Sequence, residues 1–428
     1  MTVHVLGGGV AGIVAAFAAR DRGHAVVLHE ARSRLGGRAF ASPDRQFGRD
    51  LDNGPHAMLG CYRAMRQLLA RIGSLAQCQQ DATLRMAYRW PGGASDRLQL
   101  SGLPTPLAMP WALWRLRLPW RAKLAALRGM AQSLVGAPAH WSLADWLAAR
   151  GQLGAPAAML WQPLCRAVMN VEPEHASAAL FLATLRQAFA GRARNAAFVL
   201  PRGTWHEVLG APAERALRAA GVEVRFGSRV EALQRTGGRI TALTLGETGL
   251  AIGPDETILS ALPWHALQKL CPECVPTPAL AASPIVSAYF AMADADAPPD
   301  DGPVVALVEG APFHFLLRTP GDAPGRFALL SGGDRSFDGQ PVAEIEARAR
   351  EQLARHYPGV AATAGQVRIR KEQLATFVAA PGPTSRPAPG RLAHGPSNLL
   401  LCGDWTATGL PATLEGAARS ALAACQQL

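Results

Sequence analysis

The first thirty residues follow an order that few folds can use. Apolar runs at 3–6 and 25–29 predict two short buried strands, and an alanine-rich run at 13–20 predicts a helix between them. Gly7, Gly9 and Gly12 fill the connection from the first strand to the helix, and Glu30 ends the second strand. The pattern predicts the first βαβ unit of a Rossmann-like, doubly wound α/β domain.

The spacing of these residues predicts a dinucleotide site. Gly7 permits a tight turn, Gly9 lets the backbone approach a pyrophosphate, and Gly12 lets the helix pack on the strand. Glu30 lies 18 residues after Gly12, where a carboxylate accepts the ribose hydroxyls. The alternative is a glycine-rich loop of an unrelated α/β fold. From this unit we expect cofactor contacts at Gly7, Gly9, Val10, Ala11, Gly12 and Glu30.

The residues that follow separate one dinucleotide from another. Ala31 and Arg32 lead into Gly36-Gly37-Arg38, and Asn53-Gly54-Pro55-His56 comes next. This arrangement resembles the flavin amine oxidase and phytoene desaturase superfamily, which implies FAD. In that superfamily the glycine pair passes close to the cofactor, the arginine faces the pyrophosphate and flavin, and the Gly-x-His segment lies beside the flavin ring. The resemblance therefore adds Ala31, Arg32, Gly36, Gly37, Arg38, Gly54, Pro55 and His56 to the predicted FAD site.

The C-terminal residues resemble the second FAD signature of the same superfamily. An apolar strand at 398–401 leads to Gly403-Asp404, whose backbone can bond phosphate and ribityl groups. Thr413 and Leu414 open the last helix, and its N-terminus presents free N–H groups and a positive dipole end to the flavin. The stretch 221–233 alternates and turns as a strand pair does, and the resemblance implies that Val230 meets the adenine through its backbone.

These motifs imply an FAD-binding domain built from three separated pieces, at about 1–75, 195–275 and 375–428. The insertions at 76–194 and 276–374 then form an α+β substrate domain. The first insertion reads as helical, with helices over 141–150, 155–169 and 176–190. The second reads as strands at 285–292, 304–308, 313–317 and 327–330 with a helix at about 343–356. Only one dinucleotide fingerprint is present, so we expect no nicotinamide site of the glutathione-reductase type.

Several stretches resemble one branch of the superfamily, the hydroxysqualene dehydroxylases. They include 53–63, 161–173, 200–203 and 403–413. The resemblance implies reduction of an allylic alcohol to squalene in hopanoid synthesis, with a long-chain isoprenoid substrate and an external electron donor. A phytoene-type desaturase is the alternative. Amine oxidases carry an aromatic residue where this chain has Thr413, which disfavours an amine substrate, and a protoporphyrinogen oxidase is equally disfavoured.

A hydride transfer to an allylic carbon needs an acid that helps the hydroxyl to leave as water. His56 is the candidate catalytic residue, because its motif lies beside the flavin ring in the superfamily. The alternative is that the imidazole packs there or bonds the backbone. Cys271 and Cys274 form a CxxC without the second pair that a zinc ribbon needs, so we expect reduced thiols and no metal, with a structural metal or redox role as the alternative.

The basic residues point to a surface rather than to a polyanion. The net charge is +11, but only 18% of the residues are charged and 49% are hydrophobic, which excludes a disordered chain and argues against nucleic acid. Six basic residues and no acidic ones lie between Arg97 and Ala144. Trp111, Trp114 and Trp120 fall there, within 103–123. This mixture is typical of a membrane-docking segment, with a buried helix as the alternative. We expect a cytoplasmic protein, peripheral on the inner face of the cell membrane.

Overall fold

A computed structural model describes residues 1–276, 280–382 and 386–428. The strands are β1 Thr2–Leu6, β2 Ala25–His29, β3 Ala41–Asp44, β4 Arg49–Asp52, β5 Met58–Leu59, β6 Cys78–Gln80, β7 Arg85–Arg89, β8 Ser95–Gln99, β9 Phe198–Pro201, β10 Glu223–Arg225, β11 Val230–Thr236, β12 Arg239–Leu245, β13 Thr248–Ala251, β14 Thr257–Ser260, β15 Ala282–Ala291, β16 Val304–Leu307, β17 Phe315–Leu317, β18 Arg326–Gly332, β19 Gln366–Phe377, β20 Gly390–Arg391 and β21 Leu399–Leu401. The α-helices are α1 Val10–Asp21, α2 Arg63–Arg71, α3 Thr105–Arg115, α4 Trp120–Gln132, α5 Leu143–Ala149, α6 Gln162–Met169, α7 Ala178–Phe189, α8 Ala193–Ala196, α9 Ala211–Ala219, α10 Trp264–Leu270, α11 Val342–His356 and α12 Leu414–Cys425.

The first βαβ unit lies at the centre of a six-stranded sheet with the order β10-β2-β1-β14-β21-β20. The first five strands run parallel and β20 pairs with β21 in the antiparallel sense. Helices α1 and α12 pack together against it, and their inward residues join those of the strands in one apolar core. A strand buried on both faces of a sheet is a continuous apolar run, as β21 shows with three leucines, whereas β1 also carries the buried His4. The predicted α/β fold is confirmed.

The prediction of a strand pair over 221–233 is wrong. Strand β10 pairs with β2 at the edge of the six-stranded sheet, whereas β11 belongs to a separate three-stranded sheet, β11-β12-β13. The chain turns between the two strands, where the Ser228 N–H donates to the Glu30 carbonyl at 2.9 Å. The alternating sequence pattern predicts that both segments are strands, but it does not predict which strand each of them pairs with.

A second large sheet, with the order β19-β15-β18-β17-β16-β7-β8, forms the other half of the molecule. One of its faces packs on α11, where Val286, Ala288 and Phe290 meet Ile345 and Leu353. Strands β7 and β8 come from the first insertion, so the purely helical reading of 76–194 is incomplete. The helices expected there are present as α5, α6 and α7, with five residues of π-helix at Ala157–Trp161 leading into α6.

The predicted division of the chain follows these two sheets closely. Strands of the six-stranded sheet fall within 1–75, 195–275 and 375–428, and those of the seven-stranded sheet fall within 76–194 and 276–374, except that β19 runs on to Phe377. Residues 277–279 and 383–385 of these ranges lie outside the described residues. The division into two domains stays a prediction.

Two further findings concern the sequence predictions. Cys271 and Cys274 are joined in a disulfide at the end of α10, so the expectation of reduced thiols is wrong. Their sulfurs are close because the helix ends at Leu270 and a single turn carries the chain from one cysteine to the other. Among the helices that the structure describes, none combines the length and apolarity needed to cross a bilayer.

Candidate cofactor and substrate site

The glycine turn between β1 and α1 is shaped by very close contacts. A Cβ atom added at Gly12 would lie 1.8 Å from the Gly7 carbonyl oxygen, so only glycine lets the helix meet the turn. The Gly7 N–H donates to the His29 carbonyl at 2.8 Å, and this bond fixes the turn to the end of β2. The N-terminus of α1 therefore points out of the sheet at the carboxyl ends of the strands, where dinucleotides bind in such folds.

Glu30 organises the backbone around this turn. Its side chain is buried, and its carboxylate accepts the Gly8 N–H at 2.7 Å through Oε2 and the Arg32 N–H at 2.8 Å through Oε1. A carboxylate offers about four acceptor positions, so two bonds leave capacity for a ligand hydroxyl. The predicted contact with a ribose stays a prediction.

The segment around Gly36 and Gly37 lies against the same turn. The Gly36 N–H donates to the Gly8 carbonyl at 2.9 Å, and a Cβ atom at Gly37 would come within 2.9 Å of the Gly9 Cα. The space around a Cβ position at Gly9 is open, since such an atom would meet only the Gly37 Cα, at 3.7 Å. The space above Gly9 is therefore a cradle that a side chain would fill.

Arg38 joins the first motif to the last. Its guanidinium contacts the Asp404 carboxylate at 2.6 Å and donates to the Ala375 carbonyl at 2.6 Å. The side chain of Asp404 is buried, whereas that of Arg38 is 35% exposed, so only the carboxylate side of this ion pair is removed from water. The Gly403 N–H donates to the Ser420 hydroxyl at 2.9 Å and is already used within the protein. Any phosphate bond from this segment would have to use the neighbouring N–H groups.

The N-terminus of α12 is capped by Thr413, whose hydroxyl accepts the Gly416 N–H at 3.0 Å. The next acidic residue, Glu415, was not singled out by the sequence. Its buried carboxylate accepts the Ala64 and Met65 N–H groups at 3.2 and 3.0 Å, which caps the neighbouring helix α2. These bonds hold the first turns of both helices beside each other.

His56 lies where the cofactor motifs meet the second sheet. Its Nδ1 lies 2.6 Å from the Gly54 carbonyl, so Nδ1 carries the proton, and its ring packs edge-on against Trp205 at 5.9 Å. Burial lowers the pKa of His56 to about 4, so the ring is neutral near pH 7 and offers Nε2 as an acceptor. A neutral imidazole whose only N–H proton is hydrogen-bonded to a backbone carbonyl is poorly suited to donate a proton to a substrate. The catalytic role of His56 stays a prediction.

Asp52 is a second titratable group close to His56. Burial raises the pKa of Asp52 to about 7. Its carboxylate accepts the backbone N–H of Trp205 at 2.8 Å. The Tyr289 hydroxyl donates to the Asp52 carbonyl at 3.0 Å. Asp52 and Tyr289 line a separate pocket of about 50 Å³ and do not reach the main cavity described next.

A single cavity of about 1040 Å³ brings the predicted residues together. Its size is at the upper end of ordinary small-molecule sites, about 300–1,000 Å³. Every predicted cofactor residue except Gly12, which packs beneath the turn, lines it. Val230, Ala31 and Arg32 lie at one end beside Glu30, and His56, Thr413 and Leu414 lie further along it.

The far part of the cavity is apolar and reaches the helices α3 and α4. It is lined mainly by aliphatic and aromatic side chains, among them Leu84, Met86, Leu98, Met109, Met130, Leu160, Phe189, Phe198, Val304, Phe315 and Leu330. Such a surface cannot hold a charged or strongly hydrated substrate without a large desolvation cost. It fits a long hydrocarbon.

Glu372 is the acidic residue at the junction between the two parts, and no sequence motif points to it. It lies on β19, and its Oε2 accepts an N–H of the Asn53 amide at 2.8 Å. Asn53 precedes the Gly54-Pro55-His56 segment, and both Asn53 and Glu372 line the cavity. Only the register of β19 against β15 could have revealed this position, because 319 residues separate the two partners.

The sequence comparison agrees with this geometry. The family described as flavin containing amine oxidoreductase matches residues 10–428. The chain belongs to this family. It is an FAD-dependent oxidoreductase, and the predicted cofactor is confirmed.

Individual relatives refine the picture. A hydroxysqualene dehydroxylase of Rhodopseudomonas palustris is 32% identical over 98% of this chain and 96% of that protein. A zeta-carotene desaturase of Synechocystis is 25% identical over 58% of this chain and 52% of that protein. The crystal structure of an oxidoreductase from Methanosarcina mazei superimposes with a TM-score of 0.77 at 14% identity over the whole of both chains, which supports the fold.

The residues present fit FAD. The open cradle at Gly9 and the first N–H groups of α1 suit the pyrophosphate, and the Glu30 carboxylate lies one strand away with acceptor capacity left. At the other end, the N-terminus of α12 opens on the same cavity through Thr413 and Leu414. When bound there, FAD supplies the two-electron chemistry, and the protein supplies position, polarity and exclusion of water.

Proposed function

We propose that this FAD-dependent oxidoreductase reduces the allylic alcohol hydroxysqualene to squalene, within hopanoid synthesis. The observation that carries the proposal is the relative from Rhodopseudomonas palustris, which matches this chain nearly from end to end, whereas the desaturase matches little more than half. The apolar part of the cavity supports it, since it suits a hydrocarbon chain and opens directly on the cofactor half.

The side chains have distinct tasks in this proposal. The Gly9 turn, Glu30 and the α12 N-terminus hold the cofactor, while Arg38 ties Asp404 to the β19 backbone beside it. The apolar walls bind the isoprenoid and exclude water, which would otherwise capture an allylic cation. The neutral His56 presents Nε2 as an acceptor at the junction. FAD held there in its reduced form would supply the hydride, and an external electron donor would be needed to reduce it again.

The direct test is a single turnover without oxygen. The FAD-loaded protein is reduced chemically, mixed with hydroxysqualene and analysed for hydrocarbon products. We expect about one squalene per reduced flavin and reappearance of the oxidised flavin absorbance at the same rate. Flavin that stays reduced, with the alcohol recovered unchanged, would contradict the proposal.

The alternatives predict different results in the same apparatus. A phytoene-type desaturase would take hydride from a saturated carbon, so oxidised protein would bleach on adding phytoene, and reduced protein would leave hydroxysqualene unchanged. An amine or protoporphyrinogen oxidase would release hydrogen peroxide in air. Thr413 at the mouth of α12 offers no aromatic wall for an amine, which is why we place these oxidases last.

We also propose that the protein docks on the inner face of the cell membrane through its Trp–Arg surface, defined as residues 103–135. Large apolar side chains there are exposed, including Trp111 and Trp120 at 61% each and Val135 at 85%. The others are Leu103, Leu107, Trp114, Leu124 and Leu134. The accompanying charges are all basic between Arg97 and Ala144, which complements an anionic bilayer.

The Trp–Arg surface is continuous with the substrate cavity. Met109 of α3 and Met130 of α4 line the cavity from the inner sides of the two helices that carry the exposed tryptophans. The Lys123 ammonium lies 5.2 Å from the Trp114 ring and donates to the Trp114 carbonyl at 2.6 Å, so this cation sits among the aromatic side chains. A substrate dissolved in the bilayer would therefore have a short path to the cavity.

Replacing Trp111, Trp114 and Trp120 together by alanine is expected to weaken binding to anionic vesicles at least about tenfold, or roughly 1.4 kcal/mol. The reason is the loss of interfacial aromatic side chains with the charges retained. Flotation with phosphatidylglycerol vesicles measures it. Leu422→Ala, at an exposed apolar position outside the surface, is the matched control. Equal flotation of the triple variant and the parent would reject the docking proposal.

A further inference from the structure

The reaction proposed above needs an acid at the point where substrate and cofactor meet. Within the described residues, four carboxylates line the cavity: Glu30, Glu231, Glu372 and Asp404. Glu30 bonds the glycine turn, Glu231 lies beside Val230 and within 3.8 Å of Arg229, and Asp404 is paired with Arg38. Each of these three already serves the cofactor half. Glu372 alone lies between the two halves.

The sheet register fixes the direction of the Glu372 side chain. Glu372 lies opposite Ile285 of β15, which in turn lies opposite Gly332 of β18. Directly opposed residues of an antiparallel sheet project from the same face. Ile285 and Gly332 both line the cavity, whereas the neighbouring Val286 packs in the core under α11. Glu372 therefore faces the substrate cavity.

The contacts of Glu372 hold it without neutralising it. Oε2 accepts the Asn53 amide N–H at 2.8 Å and Oε1 accepts the Leu374 N–H at 3.3 Å. In the described part of the chain no Lys or Arg nitrogen forms a salt bridge with it within 4.0 Å. Its carboxyl group therefore reaches the cavity with hydrogen-bonding capacity left for a ligand.

We infer that Glu372 is the proton donor that releases the allylic hydroxyl. The inference rests on the proposed function. The carboxyl proton passes to the hydroxyl oxygen, the C–O bond breaks with both electrons on oxygen, and water leaves. The Glu372 carboxylate that remains faces the allylic cation, whose carbon then takes the hydride that the reduced cofactor supplies. Water from outside the cavity returns the proton to Glu372.

A leaving-group experiment separates this role from a structural one. Glu372→Gln should retain FAD content and flavin absorbance but convert hydroxysqualene about 10²–10⁴-fold more slowly in a single turnover. In the dichloroacetate ester of hydroxysqualene, the leaving group is the stable dichloroacetate anion, which departs without first receiving a proton. We expect the variant to convert this ester within a few-fold of the parent rate. Glu372→Asp should recover part of the loss, and Glu351→Gln, an exposed carboxylate on α11, is the control.

The outcomes also distinguish this inference from the proposed function. Equal losses on alcohol and ester, or no loss on the alcohol, would overturn the acid role of Glu372 while squalene formation by the parent still stands. If the parent forms no squalene, a second measurement tests the acid role of Glu372 by itself. Oxidised FAD-loaded protein is incubated with hydroxysqualene in isotopically labelled water, and exchange of the substrate oxygen is measured. Exchange that depends on Glu372 supports the acid role without the hydride step, and absence of exchange in the parent overturns both.

Discussion

A Gly9→Val variant is expected to fold and yet to bind FAD at least about 100-fold more weakly than the parent, a loss of about 2.7 kcal/mol or more. The backbone at Gly9 is extended, with φ −76° and ψ −176°, so valine can adopt it. An added Cβ would meet only the Gly37 Cα, at an ordinary contact distance of 3.7 Å. The protein tolerates the side chain, but the branched methyl groups fill the cradle of the pyrophosphate. Titration of flavin fluorescence measures the affinity.

The neighbouring glycine gives the opposite result and serves as the contrast. Gly12→Ala places a Cβ 1.8 Å from the Gly7 carbonyl oxygen, so this variant should lose stability rather than affinity alone. Gly249→Val is the matched control, because this strand glycine has an ordinary φ and open space around it. Retention of FAD by Gly9→Val at the affinity of Gly249→Val would show that the pyrophosphate does not lie above Gly9.

The cofactor half could be predicted from the sequence because its function depends on neighbours in the chain. One turn and the two strands beside it hold Gly7, Gly9, Gly12 and Glu30. Because these residues are close in sequence, their spacing along the chain determines how they lie relative to one another. The α/β fold and FAD follow from such local motifs and are confirmed. The contacts of individual residues with FAD stay predictions.

The junction could not be predicted because its partners are distant in sequence. Glu372 meets Asn53 only when β19 pairs with β15, and Glu415 caps α2 from 350 residues away. A carboxylate in an alternating strand reads as an exposed residue until the other face of the sheet is known. The same limit explains the error over β10 and β11, since alternation predicts a strand without predicting its neighbour.

His56 shows how the structure changes the meaning of a predicted residue. Its place beside the cofactor motifs suggested an acid, but burial and the bond to the Gly54 carbonyl keep it neutral with its proton committed. The Trp–Arg surface shows the reverse case. The sequence left open whether 103–123 is buried, and the exposure of Trp111, Trp114 and Trp120 removes the buried alternative for these three side chains.

The protein is expected to lose stability as the pH falls from 7 to 5, because buried histidines cannot accept protons in the folded state. Burial lowers the pKa of His29 to about 4 and that of His314 to about 3, against 6.5 for an ordinary histidine. The unfolded chain therefore binds more protons once the pH drops below 6.5, and the loss continues until the folded pKa is reached. Each fully buried imidazole contributes up to about 2 kcal/mol over this interval.

Asp52 opposes this trend, and a single-residue comparison removes its effect. Burial raises the pKa of Asp52 to about 7, so ionisation of Asp52 lowers the stability of the folded state at pH 7, and this effect diminishes as the pH falls.

Urea unfolding at pH 7 and pH 5 should show a smaller loss of unfolding free energy for His29→Gln than for the parent, by up to about 2 kcal/mol. His29 bonds His4 and Ser228, at 3.2 and 2.9 Å, and glutamine can keep one such bond. His394→Gln, at an exposed imidazole, should follow the parent. A pH dependence of His29→Gln identical to that of His394→Gln would mean that His29 accepts a proton in the folded state near its ordinary pKa.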